Sequence, residues 1–234
     1  MEQQRNESRD DEDFQYPRRL NAFGKWVSRQ VRTLVEGGYD ATGVRHGGYL
    51  QNESYAVSAV ARLRRSVGHE VGADPDIFIW TMPPSEHPEI AGDVSRYPQG
   101  PSPEERAAHA AITLFAVHQQ SNRAVSMHTD SNVSFGRAVG RMACGNFNED
   151  GIRSMFDRLQ TASSWKELVR HARSLISLLK RERIAINYGL FAQDLLSLRG
   201  SRNQANAVRT LWGRDFQSAY RHEQMERDKD DSER

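Results

Sequence analysis

The sequence predicts an all-α fold, with an N-terminal helical lobe and a C-terminal helical bundle. Apolar residues recur at helical spacing through most of the chain, and helix-start signals precede two of the strongest repeats. No segment shows the alternation of a convincing strand. With 234 residues the chain can bury a core without disulfides, and its one cysteine, Cys144, excludes a cysteine-built zinc site.

The N-terminal lobe is predicted over residues 14–102. Two helices carry apolar faces there, with the members Leu20, Phe23, Val27, Val31 and Leu34 on the first and Ala56, Val60, Leu63 and Val67 on the second. Six of the eight prolines lie in residues 68–102, which excludes long helices from that stretch. The apolar run 77–80 within it is expected to dock on the core, and the stretch forms the boundary with the bundle.

The C-terminal bundle is predicted over residues 103–222. Ser102 and Glu105 have the spacing of a capping box, and the helix that follows is apolar nearly all round, so we expect it to be central and buried. Ser164 and Glu167 form a second capping box, which opens a strongly amphipathic helix. Trp212 and Phe216 fall on the apolar face of the last helix and are assigned to the core.

The net charge of +1 conceals an uneven distribution. Residues 1–13 and 223–234 each carry six acidic residues, and their composition predicts two charged, disordered tails. Residues 14–222 then hold 27 basic and 19 acidic residues, a net of +8, and 28 of the 32 basic residues in the chain are arginine. Such a body suits a polyanionic partner. Arginine-biased codon usage is the competing explanation.

Basic residues fall opposite the apolar faces of four predicted helices. They are Lys25, Arg29 and Arg32 on the first, Arg62, Arg64 and Arg65 on the second, Arg137 and Arg141 on a short helix, and Lys166, Arg170 and Arg173 on a long one. Acidic residues within one turn of them are few. Like-charge pairs at i, i+4 each cost roughly 0.2–0.5 kcal/mol, so the pattern favours a surface that phosphates neutralise.

The short helix also contains Gly136 and Gly140 beside its arginines. Glycine inside a helix costs about 1 kcal/mol relative to alanine. Close approach of another helix explains both glycines slightly better than close approach of a phosphate.

The sequence contains no glycine-rich phosphate loop and no proposed catalytic constellation. His128 and Asp130 have metal-ligand spacing, but they lack an evident third and fourth ligand. His118 follows apolar residues on the central helix and is expected to be a hydrogen-bonded core histidine. No catalytic residue, metal or cofactor is predicted.

An ordered set of motifs resembles the CasB family, the small subunit of the type I-E CRISPR effector complex Cascade. The motifs are ARLRR (61–65), LFAVHQQ (114–120), MH (127–128), SFGRAVGRM (134–142), LVRHARSLISLLKR (168–181) and LWGRDF (211–216). They span roughly residues 20–220 in family order. The tails and residues 68–102 depart from the shorter family members.

The resemblance implies a non-enzymatic, all-α subunit that binds nucleic acid without sequence preference. Two copies would pack head to tail beside the other Cascade subunits, including the large and backbone subunits. They would stabilise the R-loop formed by crRNA, target strand and displaced strand in antiviral defence. Motif match assigns Arg64, Arg65 and Arg137 as nucleic-acid contacts, helical spacing adds Arg141, and basic-residue placement adds Arg62, Lys25, Arg29, Arg32, Arg123, Arg170 and Arg173.

Two alternatives remain open at the level of the sequence. A helical DNA-binding transcription regulator would need a helix-turn-helix with base-reading side chains. A metal-dependent helical hydrolase would use His128, Asp130 and further histidines. The acidic N-terminus and the absence of an apolar run near the length of about 18 residues predict a cytoplasmic protein with no membrane partner.

Overall fold

The computed structural model describes residues 18–39 and 43–232, apart from the side chains of residues 230 and 231. The predicted acidic tail at 1–13 lies outside these residues. The described part contains ten α-helices, which confirms the all-α prediction. They are α1 (Ala22–Glu36), α2 (Ser54–Arg65), α3 (Phe78–Thr81), α4 (Pro88–Ala91), α5 (Pro103–Gln119), α6 (Phe135–Ala143), α7 (Glu149–Gln160), α8 (Trp165–Glu182), α9 (Tyr188–Leu198) and α10 (Arg202–Ser232).

Helix α5 is the central helix of the fold, as its apolar sequence predicts. Every residue from 107 to 119 is buried, and α1, α2, α8 and α9 pack around the helix. The capping box is present: Ser102 Oγ accepts a hydrogen bond from the Glu105 amide at 3.1 Å, and Glu105 Oε2 accepts one from the Ser102 amide at 2.6 Å. The buried stripes of α1, α2, α8, α9 and α10 join α5 in one hydrophobic cluster.

The Ser102 cap supports a quantitative expectation. Replacing Ser102 with alanine removes the acceptor for the Glu105 amide and a contact with the Ala91 carbonyl at 3.3 Å. We expect a loss of about 1 kcal/mol in the free energy of unfolding, measured by urea denaturation. Ser58→Ala, at an exposed position inside α2, is the matched control and should change stability by less than about 0.5 kcal/mol. Equal effects of the two substitutions would contradict the capping role.

A small antiparallel sheet between α1 and α2 is a feature that the sequence does not predict. Strand β1 (Gly37–Tyr39) pairs with β2 (Arg45–Gly47), each three residues long. Gly37 has a φ of 84° at the end of α1, a conformation that favours glycine. The strand sequences GGY and RHG carry no apolar alternation, so the period that identifies a strand is absent.

The proline-rich segment 68–102 folds into short elements, as expected. It contains α3, α4 and two single 3₁₀ turns at Pro75–Ile77 and Val94–Arg96. Ile77 and Trp80 dock on the core, with 2% and 8% of their surface exposed, while Ile79 points outward. Proline and glycine end each helix within about one turn.

Helix α6 packs against α10 at very short range. A Cβ at Gly136 would lie 2.5 Å from the Trp212 carbonyl oxygen, and one at Gly140 would lie 2.9 Å from the Phe216 Cα. The two glycines therefore serve helix–helix packing. Trp212 and Phe216 are buried, which confirms their assignment to the core.

Residues 223–232, predicted as part of a charged disordered tail, are helical in the structure, because α10 continues to Ser232. Composition alone suggested a solvated tail, but Glu, Gln, Met, Arg and Lys in this stretch are strong helix formers. Arg141 on α6 also reaches Glu223, with Nε 3.9 Å from Oε2. Residues 233 and 234 lie outside the described part.

Candidate nucleic-acid interface

Three of the predicted basic residues meet on the segment between α5 and α6, here called the 120–133 loop. Arg64, from α2, donates through Nη1 to Gln120 Oε1 at 2.5 Å. Arg32, from α1, donates through Nη1 to Asp130 Oδ2 at 2.9 Å. Arg123 belongs to the loop itself, and its guanidinium lies 5.0 Å from the centre of the Tyr49 ring. The fold thus brings together cations that are far apart in the sequence.

Buried polar contacts hold the 120–133 loop in place. Gln119, fully buried at the end of α5, donates to the Asn122 and Val125 carbonyls at 2.7 and 3.0 Å and accepts from the Met127 amide at 2.8 Å. The Ile186 amide donates to the Met127 carbonyl at 3.3 Å. Because each of these groups is satisfied inside the protein, the loop offers its cations from a fixed backbone.

Lys180 joins this group and was not predicted. Burial lowers the pKa of Lys180, and the nearby Arg64 guanidinium lowers it further. The two cations therefore lie within electrostatic range of each other. Lys166, Arg173 and Lys180 follow one another at intervals of seven residues on α8. Continuing the spacing of the two predicted cations would therefore have identified Lys180.

Other predicted cations have acidic partners from distant segments. Arg32 pairs with Asp130 as described, and Arg62 Nη1 lies 2.8 Å from Asp76 Oδ2. Arg141 pairs with Glu223. The sequence argument counted acids only within one turn of each helix. Tertiary folding supplies the missing carboxylates, so the prediction of unpaired basic faces is wrong at these three positions.

Arg137 is not on an exposed face, which corrects its predicted placement. Only 6% of its surface is exposed, because α6 packs on α10 along the side that carries Gly136. Ser134 Oγ donates to Asp215 Oδ2 at 2.5 Å nearby. Burial raises the pKa of Asp215, while the Ser134 hydrogen bond and the Arg137 charge lower it. Arg137 thus lies close enough to stabilise this buried carboxylate, and its assignment to nucleic acid stays a prediction.

A second buried carboxylate adjoins this cluster and was also missed. Asp194, 1% exposed, accepts from Arg18 Nη1 at 2.9 Å, from Arg18 Nη2 at 2.5 Å and from Trp212 Nε1 at 2.7 Å. Burial raises the pKa of Asp194, and the Arg18 contacts oppose that rise. Asp194 is the single acid in the apolar sequence of helix α9. An acid is rarely fully buried without a partner, so this position could have indicated a buried ion pair.

The remaining predicted cations are exposed and stand apart from the 120–133 loop. They are Lys25 and Arg29 on α1, Arg65 on α2, and Arg170 and Arg173 on α8. Within the described ranges no acidic side chain forms an ion pair with any of these five.

His128 and His118 have structural partners. His128 Nδ1 accepts from the Tyr188 amide at 3.2 Å, and its Nε2 lies 3.4 Å from both Asp130 Oδ1 and Ser28 Oγ. His118 Nδ1 lies 3.0 Å from the Tyr188 hydroxyl, and burial lowers the pKa of His118 to about 3, which confirms it as a core histidine. Among the described residues no group of three His, Cys, Asp or Glu side chains could hold a metal ion.

The fold and this cluster define an all-α protein with a cationic loop surface. No helix in the described residues is long and apolar enough to cross a membrane. The family model described as CRISPR-associated protein Cse2 matches residues 59–216. The structure resembles the crystal structure of CasB from Thermobifida fusca, with a TM-score of 0.64 and 32% identity over 85% of this chain and 99% of that chain. A search among curated proteins gives no match.

The chain belongs to the Cse2/CasB family of CRISPR-associated proteins. This membership confirms the resemblance seen in the motifs. It supports a role as a subunit of a CRISPR Cascade complex, and the family is not a known catalytic one.

Proposed function

We propose that this protein is the non-catalytic small subunit of a type I-E Cascade complex and that it stabilises the R-loop. The observation that carries the proposal is the meeting of Arg32, Arg64 and Arg123 on the 120–133 loop. Family membership supports the complex, and the cationic loop supports binding of a phosphate backbone. The proposed partners are the large and backbone subunits, a second copy of this chain, crRNA and target DNA, all in the cytoplasm.

The chemistry of the loop suits backbone recognition. Arginine presents a planar fork of donors that matches phosphate oxygens, and such contacts carry no sequence information. Sequence would be read by base pairing between guide and target. Arg64 now donates to the neutral Gln120 side chain, which a phosphate oxygen can replace without leaving a carboxylate unpaired. Arg32 would first have to leave Asp130.

Replacing Arg64 and Arg65 together with alanine is expected to weaken binding of single-stranded and duplex DNA about tenfold at near 100 mM salt. Losing two phosphate contacts should also reduce the slope of log affinity against log salt by roughly 1.4–1.8. Fluorescence anisotropy over a salt series measures both quantities. R-loop formation by reconstituted Cascade should fall in parallel, while circular dichroism and the thermal midpoint stay unchanged.

Arg158→Ala with Arg214→Ala is the matched control, because both residues are exposed and lie outside the predicted interface. The control removes the same charge and should leave R-loop formation at the parental level. If the control and the Arg64/Arg65 variant lose equal affinity, the effect is net charge and the site assignment fails. A footprint on one specific operator would instead favour a transcription regulator.

A further inference from the structure

A cavity of about 160 Å³ lies on the structure away from the 120–133 loop. It opens between the segment that follows α2, the first half of α5 and the start of α8. Its polar lining consists of His69, Glu70, Arg106, His109 and Lys166, with Trp165 beside them. At about 30 Å³ per water molecule, the space matches roughly five waters, which is room for a tetrahedral oxyanion.

Cations outnumber acids in the lining of this cavity. Arg106 and Lys166 line it, against the single carboxylate of Glu70. Arg106 donates through Nε to the Pro101 carbonyl at 3.3 Å, an arrangement that orients the guanidinium and leaves its two terminal nitrogens for other contacts. Asp74, the next acid within electrostatic range, accepts from Ser66 Oγ at 3.0 Å and from the Asp76 amide at 3.3 Å.

His109 has a buried imidazole that lines the cavity. It is 6% exposed, and no described residue forms a hydrogen bond with its ring. Burial lowers the pKa of His109 to about 4, and the neighbouring His69 contributes to that shift, so the ring is neutral at pH 7. A neutral imidazole carries one N–H donor, and buried polar groups are generally hydrogen-bonded. An anion in the cavity can accept this hydrogen bond, because His109 lines the cavity.

We propose that this cavity is a binding site for a phosphate-class oxyanion. Arg106 and Lys166 supply charge, His109 supplies an N–H donor in the lining, and the N-terminus of the 18-residue helix α8 lies at the same place. Trp165 and Lys166 are the first two residues of that helix, where backbone amides lack partners within the helix. The proposal stands independently of R-loop binding, since it uses none of the residues that meet on the 120–133 loop.

The test follows the histidine resonances of the full chain by NMR during titration with inorganic phosphate at constant ionic strength. We expect a saturable shift of the His109 signal in the millimolar range, absent when chloride replaces phosphate. Lys166→Ala should weaken binding roughly tenfold, the effect of losing one charged hydrogen bond. Arg181→Ala removes an exposed cation from the same helix outside the cavity and should leave the affinity unchanged. The thermal midpoint shows that both variants remain folded.

Competition with short oligonucleotides separates two sources of the phosphate. If an oligonucleotide with a 5′-phosphate displaces inorganic phosphate and its 5′-hydroxyl form does not, the site takes a terminal phosphate of nucleic acid. If neither competes, the site takes free phosphate. The proposal is overturned if the His109 signal shows no saturable shift, or if Lys166→Ala and Arg181→Ala bind phosphate equally. Retained DNA binding through Arg64 and Arg65 would then leave the proposed function intact.

Discussion

Replacing Asp194 with alanine is expected to lower the free energy of unfolding by about 3–5 kcal/mol, the largest effect predicted for this protein. Asp194 accepts both terminal nitrogens of Arg18 and the indole N–H of Trp212 inside the core. Removing the carboxylate leaves a partly buried guanidinium and a fully buried indole donor unpaired. Each unpaired group retains its desolvation penalty while losing its partner. Urea denaturation followed by circular dichroism measures the loss.

Asp76→Ala is the matched control for this substitution. It also removes an aspartate from an arginine pair, but the Arg62 and Asp76 side chains are 45% and 67% exposed. Water replaces the lost partner there, so the change should stay within about 1 kcal/mol. Asp194→Asn should fall between the two, because its amide oxygen can still accept from Trp212. Equal losses from Asp194→Ala and Asp76→Ala would show that the buried network adds no more stability than an exposed ion pair.

Replacing Gly140 with alanine is expected to destabilise the fold by about 1–3 kcal/mol, although alanine is the better helix former. The added methyl group would lie within 2.9 Å of the Phe216 Cα and still closer to the Phe216 carbonyl. Those atoms belong to the backbone of α10, so no side-chain rotation relieves the overlap. The two helices must separate, which opens the core around Trp212. Thermal and urea unfolding both report the change.

Gly213→Ala adds the same methyl group inside a helix but causes no steric overlap. Gly213 lies inside α10, and a Cβ there would have no atom within 4 Å. The substitution should therefore raise stability by roughly 0.5–1 kcal/mol through helix propensity alone. The opposite signs expected for Gly140→Ala and Gly213→Ala distinguish close packing from a general effect of glycine. A stabilising Gly140→Ala would contradict the packing described here.

The helices could be predicted from the sequence because each depends on local signals. The helical spacing of apolar residues, together with capping residues, predicted α1, α2, α5 and α8. The apolar surface of α5 also explains why other helices pack around it. The hairpin of β1 and β2 could not be predicted, since its residues carry no alternation. The C-terminal end of α10 was missed because charge composition was given more weight than helix propensity.

The site was less predictable, because side-chain exposure depends on neighbours that are distant in the sequence. Arg137 and Arg141 occupy equivalent positions one turn apart, yet α10 buries the first and leaves the second partly exposed. Asp76 and Asp130 reach Arg62 and Arg32 only after folding. Sequence placed Arg64 correctly on an exposed surface, but the proximity of Lys180 to Arg64 is seen only in the tertiary structure. The assignment of individual arginines to nucleic acid stays a prediction.

The contact between Arg18 and Asp194 has a consequence for folding. It joins positions 176 residues apart, and α1 beside it packs on both α5 and α9. A contact between such distant positions costs loop-closure entropy before it contributes any stability, and this cost slows folding. Helix α1 thus covers α5 and α9 from outside the matched range 59–216. A fragment cut to that range would leave the surfaces of α5 and α9 that α1 covers open to water.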